Sequence, residues 1–237
     1  MTSPIKHTST AMRHSDRAKE VSVVTLSALR QPSPASNHAP THWGWTLQIP
    51  GREHIQIYEI GSGSFASVYG VADSGSPVVY ILTLLPVQDK DILAQVRNEL
   101  PQNPHLPSVS WVGETFTSNV YEMPFYKTPL TQEDSPTGWE DYQKIRECWR
   151  QCYRSSCDGV TGHMINEMII VRAEELGVSA SVLSAIRALS KAAAERGDEF
   201  TFEFSPENLA SDSSGNIVLL DPLYNRSMLR DTSWREA

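Results

Sequence analysis

Residues 54–71 read HIQIYEIGSGSFASVYGV. The runs on either side of the glycines, HIQIYEI and VYGV, are β-branched and aromatic, which suits two strands joined by a flexible tip. Gly61 and Gly63 leave the backbone N–H groups of the tip unobstructed, and Phe65 can hold it down. Two uses fit that build. One is a clamp over the phosphates of a nucleotide; the other is a plain hairpin whose glycines only ease the turn.

The surroundings of the hairpin extend the pattern. PVVYILTLL, SVSWVGETF and SNVYEMPFY are further strand-like runs, separated by Gly, Ser, Asp or Asn turns. One helical segment interrupts them: DKDILAQVRNEL places Ile92, Leu93, Val96 and Leu100 on one face, and Pro101 ends it. After Lys127 the strands stop. WEDYQKIRECWRQCYRSS, HMINEMIIVRAEELG and SASVLSAIRALSKAAAERG have helical spacing, with Gly177 and Gly197 as stops. FTFEF and NIVLLD then form two short strand-like runs around the turn SDSSG. The predicted class is α+β, with a β-rich part over 43–127 and a helical part over 128–237. Residues 1–42, rich in Ser, Thr, His and Pro, read as a flexible arm, within which AKEVSVVTLSALRQ fits a short helix or strand.

Composition narrows the function classes. The chain has 237 residues, 40% of them hydrophobic and 20% charged, enough for a real core. A formal charge of −8 argues against a general nucleic-acid binder, which shows a basic face. No apolar run has the length of a membrane span, and the N-terminus lacks the apolar centre of a secretory leader. The cysteines, Cys148, Cys152 and Cys157, are odd in number and clustered, which favours reduced, packed thiols over disulfides or zinc. These features together predict a cytoplasmic chain.

The segment Phe202-Glu203-Phe204-Ser205-Pro206-Glu207-Asn208, followed by Leu219-Leu220-Asp221-Pro222, carries acid and amide side chains around a turn. Asn208 and Asp221 are hard oxygen ligands suited to Mg²⁺; they equally suit the caps of a polar β-hairpin. With the glycine hairpin, the interrupting helix and the later helices, this order resembles a protein kinase. The closest likeness is to the compact early serine/threonine protein kinases of podophages, in which Asp-Pro likewise stands in place of Asp-Phe-Gly. The resemblance covers roughly His54 to Pro222, and only 16 residues follow Asp221.

What the resemblance implies is a two-lobe fold and ATP- and Mg²⁺-dependent phosphoryl transfer to host proteins during takeover, in the host cytoplasm. It puts Gly61, Ser62, Gly63, Ser64, Phe65, Ala66 and Val68 over the nucleotide. Glu122 and Met123 fall on the strand that meets adenine, and Asn208 and Asp221 on metal. Glu203 stands where the catalytic Asp is expected, and Glu99 where a carboxylate pairs with an ATP-positioning Lys. Thr83 occupies the place of that Lys. A neutral Thr83 and a longer Glu203 leave two alternatives: a divergent kinase, or a pseudokinase that binds and inhibits a host protein without transfer.

Overall fold

Alternation of β-branched and polar residues dictates the larger part of the architecture. The computed structural model describes residues 23–29, 44–71, 77–85, 87–155 and 159–230. Its antiparallel sheet contains β1 (Thr25–Leu29), β2 (Gly44–Gln48), β3 (Ile55–Ser62), β4 (Ala66–Val71), β5 (Val78–Leu84), β6 (Ser110–Glu114) and β7 (Ser118–Pro124). The strand order is β1-β2-β3-β4-β5-β7-β6. The sheet curls until its ends meet. Val23 bridges Glu114, and the Val24 N–H donates to the Glu114 carbonyl at 2.7 Å. Closure of this kind removes the exposed edges that would otherwise pair with another chain.

Side-chain alternation sorts the two faces of the curl. Tyr80 and Leu82 of β5 join Val24, Leu47, Ile57, Tyr69 and Val120 in a core inside it. Val79 and Ile81 point the other way, into a larger core shared with the helices. The strand β1 corrects the expected arm over 1–42. Val24 is 2% exposed and Thr25–Leu29 pair in register with Leu29↔Gly44 through Thr25↔Gln48, so the sheet recruits this apolar piece. Residues 1–22 and 30–42 of that arm, and residue 43, lie outside the described residues.

Helix α1 (Asp89–Glu99) sits between β5 and β6 in sequence and buries Ile92, Leu93 and Val96 against the outer face. Then come α2 (Gly138–Ser155), α3 (Gly162–Glu175) and α4 (Ala180–Ala194). Gly177 adopts φ +69°, the left-handed conformation of a helix stop. Cys148 and Cys152 are buried free thiols on α2; burial pushes the Cys148 thiol up to about 11. Cys157 lies outside the described residues.

The remaining strands are β8 (Phe200–Phe202), β9 (Leu209–Ser211), β10 (Ile217–Leu219) and β11 (Leu223–Asn225), followed by the short α5 (Arg226–Arg230). The runs FTFEF and NIVLLD do not pair with each other. β8 pairs with β11, and β10 pairs with β9 across the SDSSG turn. A 3-10 turn at Pro206–Asn208 separates β8 from β9, because Pro206 lacks the N–H needed to continue a strand ladder. Among the described residues the result is a mixed α+β fold: one large curled antiparallel sheet, five helices and two small strand pairs.

Candidate functional site

The two strand pairs bring Glu203, Asn208 and Asp221 together through backbone contacts. The Asn208 carbonyl accepts from the N–H of Leu220 at 3.0 Å and of Asp221 at 3.1 Å. The Glu203 N–H donates to the Pro222 carbonyl at 2.9 Å. Phe202 and Phe204, both fully buried and stacked with centroids 5.1 Å apart, hold this stretch to the core. Alternation then turns Glu203 the opposite way from these two rings. Asn166 of α3 bonds the strand's backbone at both ends, donating to Phe200 O at 3.2 Å and accepting from Phe202 N–H at 2.9 Å. Burial, and then the nearby Glu207, raise the Glu203 carboxyl above its ordinary value, while Asn208 and Ser205 oppose the shift. That environment suits a group that must take up a proton.

Asp221 has a partner that sequence reasoning missed. Lys90, in the first turn of α1, places its Nζ 2.5 Å from Asp221 Oδ1 and 3.0 Å from Asp89 Oδ2. It also donates to the Leu220 carbonyl at 3.2 Å, so all three ammonium protons face acceptors. Burial pulls the Lys90 ammonium down, but Asp221 and Asp89 more than reverse this and leave it raised. Burial and Asp89 push the Asp221 carboxyl upward against the pull of Lys90. For Asp89, Lys90 outweighs burial and the carboxyl is held low. A trace of this cluster was visible in the sequence. The run Asp89-Lys90-Asp91 puts a cation at the helix end where the macrodipole disfavours one.

The other predicted residues are distributed more widely. Gly61, Ser62, Gly63 and Ser64 are exposed at the β3–β4 tip, and Phe65, Ala66 and Val68 are half-buried. Gly63 N–H donates to Ala66 O at 2.8 Å and Leu84 N–H to Phe65 O at 3.1 Å, which fixes the tip to the end of β5. Thr83 is fully buried, opposite Ala66 in the ladder, and its Oγ1 has no hydrogen-bond partner. Glu99 lies at the far end of α1 from Lys90, exposed, accepting from Gln95 at 3.1 Å. Glu122 accepts from the Tyr80 hydroxyl at 2.9 Å and pairs with Arg52, whereas Met123 is buried in the core shared with the helices.

Two open depressions lie apart from the Asp221 cluster. One, of about 620 Å³, is lined by residues 63–67 with Leu26, Tyr69, Leu82, Leu84 and Ser118 at the mouth of the curled sheet. The other, of about 920 Å³, runs between α2 and α3 beside Cys152, Met168 and Val171.

Among the described residues no group of three or more His, Cys, Asp or Glu side chains is placed to hold a metal ion, so any divalent cation would rest on fewer protein oxygens and on water. Asp221 keeps 44% of its side chain exposed although Lys90 holds Oδ1, and the backbone of Asn208 is bonded to that of Asp221. The buried Asp89 Oδ1 beside them has no hydrogen-bond partner. No protein-family model and no curated protein matches the chain.

Proposed function

We propose that the protein is a divergent two-lobe kinase, using ATP and Mg²⁺ to phosphorylate serine or threonine hydroxyls on proteins of a host cell. The observation that carries the reading is the convergence of Glu203, Asn208 and Asp221 through backbone hydrogen bonds beside the buried Phe202 and Phe204. The placement of α1 between β5 and β6, and of the glycine tip between β3 and β4, supports the same reading. Asn208 and Asp221 would hold the metal, whose chemistry when bound is to neutralise charge on the phosphates. Glu203 orients the attacking hydroxyl and accepts its proton, a contribution of about 10²- to 10⁴-fold for a placed base. The hairpin tip offers backbone N–H groups for phosphate oxygens, since its glycines present no side chain to block approach.

A second reading is favoured by Thr83. A buried neutral hydroxyl supplies no charge to phosphates, which suits a pseudokinase that captures a host protein without transfer. Labelled ATP, Mg²⁺ and a bacterial extract, incubated with wild type, Glu203→Ala or Asp221→Ala, separate the two. Transfer by wild type that falls about 100-fold or more in both variants supports the kinase. Equal background transfer by all three removes it. A Tm increase with Mg·ATP in that case leaves nucleotide binding without turnover.

A further inference from the structure

Thr83 leaves the outer face of β5 without a charge, yet the neighbourhood of Asp221 is not without a cation. Lys90 is 3% exposed and sits in the first turn of α1, where burial and the helix dipole both disfavour an ammonium. Its retention there requires strong compensation, which three oxygens supply: Asp221 Oδ1, Asp89 Oδ2 and the Leu220 carbonyl. Two carboxylates and a carbonyl around one positive centre make the oxygen cage that hard divalent ions use. The charge count also favours more cation than is present. Two carboxylates face one ammonium, and the buried Asp89 Oδ1 has no partner.

We propose that Lys90 is the built-in cation of this site, its ammonium filling the place between Asp89 and Asp221 that a divalent ion would otherwise take. Asn208 and the free oxygen of Asp221 then serve a single Mg²⁺. Lys90 thereby supplies from α1 the fixed charge that Thr83 cannot supply from β5. It also ties α1 to a turn 131 residues away in sequence. The count of one metal ion rests on the kinase reading; the exchange of ammonium for a divalent ion does not.

The test uses the full chain and Mn²⁺ alone, read by the spectroscopic signal of free Mn²⁺ and by Tm, with no nucleotide added. Lys90→Met should lower the Tm by about 5 °C or more, because the buried Asp89 and the half-exposed Asp221 lose their counter-ion. Millimolar Mn²⁺ should restore it. Lys90→Met should bind Mn²⁺ about tenfold or more tighter than wild type, since a like charge has left the site. Lys90→Arg keeps the charge and should bind Mn²⁺ no more tightly than wild type. Adding Asp89→Asn to Lys90→Met should remove the gained affinity.

Unchanged Mn²⁺ affinity in Lys90→Met overturns the proposal, as does an equal gain in Lys90→Arg. If Lys90→Met does not fold alone, refolding with Mn²⁺ should recover it, and failure in both conditions also counts against the exchange. With ADP present, wild type should hold one Mn²⁺ and Lys90→Met two. A wild type that binds no nucleotide, beside a Lys90→Met variant that gains Mn²⁺, leaves the counter-ion assignment standing and ends the kinase reading.

Discussion

The glycine tip of β3–β4 and the stretch from Phe200 to Pro222 are built on opposite terms. At the tip, a Cβ added to Gly61 meets nothing within 4 Å, and one added to Gly63 meets only Ala66 O at 3.9 Å. Neither glycine has a positive φ. The fold therefore does not require glycine at either place. The second region is held on every side. Phe202 and Phe204 are fully buried, Asn166 bonds both ends of β8, and His105 bonds Ile217 O at 2.8 Å and Ser181 Oγ at 2.9 Å. The Phe200–Pro222 stretch is thus fixed by buried side chains, whereas the tip is pinned only by backbone bonds, from Gly63 to Ala66 and from Leu84 to Phe65, and leaves Gly61 to Ser64 in solvent.

The contrast is sharpest where the fixed half is cut. Phe202→Ala should cost about 3–5 kcal/mol, from a lost ring and the cavity it leaves. In a chain of this size that is a fall of roughly 6–20 °C in Tm by calorimetry. A smaller loss, with the Glu203 stretch intact, would mean that the stacked rings are not what secures it. Asn166→Ala comes next, at about 2–4 kcal/mol, because it leaves Phe200 C=O and Phe202 N–H buried without partners. Denaturant unfolding measures it, and a near-neutral result would show that β8 finds other partners.

A third effect is pH-dependent. Burial lowers the pKa of His105 below its ordinary 6.5, so the folded chain binds that proton less readily than the unfolded one. The stability from the neutral ring is complete above 6.5 and is lost as pH falls through 6.5 toward the lowered native value. Wild type should lose Tm between pH 7.5 and 5.5 more steeply than His105→Gln, by up to about 1.4 kcal/mol per pH unit for one proton. Parallel slopes would remove His105 from the anchors of β10. The smallest effect belongs to the tip. Gly61→Ala and Gly63→Ala should change stability by about 0.5 kcal/mol or less, yet reduce the Tm increase produced by Mg·ATP. If they leave that increase untouched, the tip is a plain hairpin.

Much of the outline was legible along the chain. The period-two runs from Ile55 to Pro124 became β3 through β7, and the apolar face of Ile92, Leu93 and Val96 became the buried side of α1. Alternation and helical spacing are local properties, so they can be read without knowing what each face will meet. The strand at Thr25–Leu29 was less legible. Its membership in the sheet depends on Gly44–Gln48 and on Glu114, residues far enough away that local pattern carries no sign of them. The pairing of FTFEF with Leu223–Asn225 was hidden for a related reason. The nearer run, Ile217–Leu219, had been taken up by Leu209–Ser211.

The candidate site divides in the same way. By itself the sequence determined which oxygen-bearing residues stand around the turn, Glu203, Asn208 and Asp221, since their spacing is short and the intervening chain can only fold back on itself. Only the tertiary structure decided which cation meets Asp221. Lys90 and Asp221 are 131 residues apart, and nothing local to either one specifies the other. Packing of Ile92, Leu93 and Val96 sets the rotation of α1, and that rotation carries Lys90 inward while leaving Glu99 in solvent. A buried charge is tolerated only where opposite charge is already in place. The pairing of Lys90 with Asp221 was therefore settled by how α1 docks, a long-range packing event that no short motif encodes.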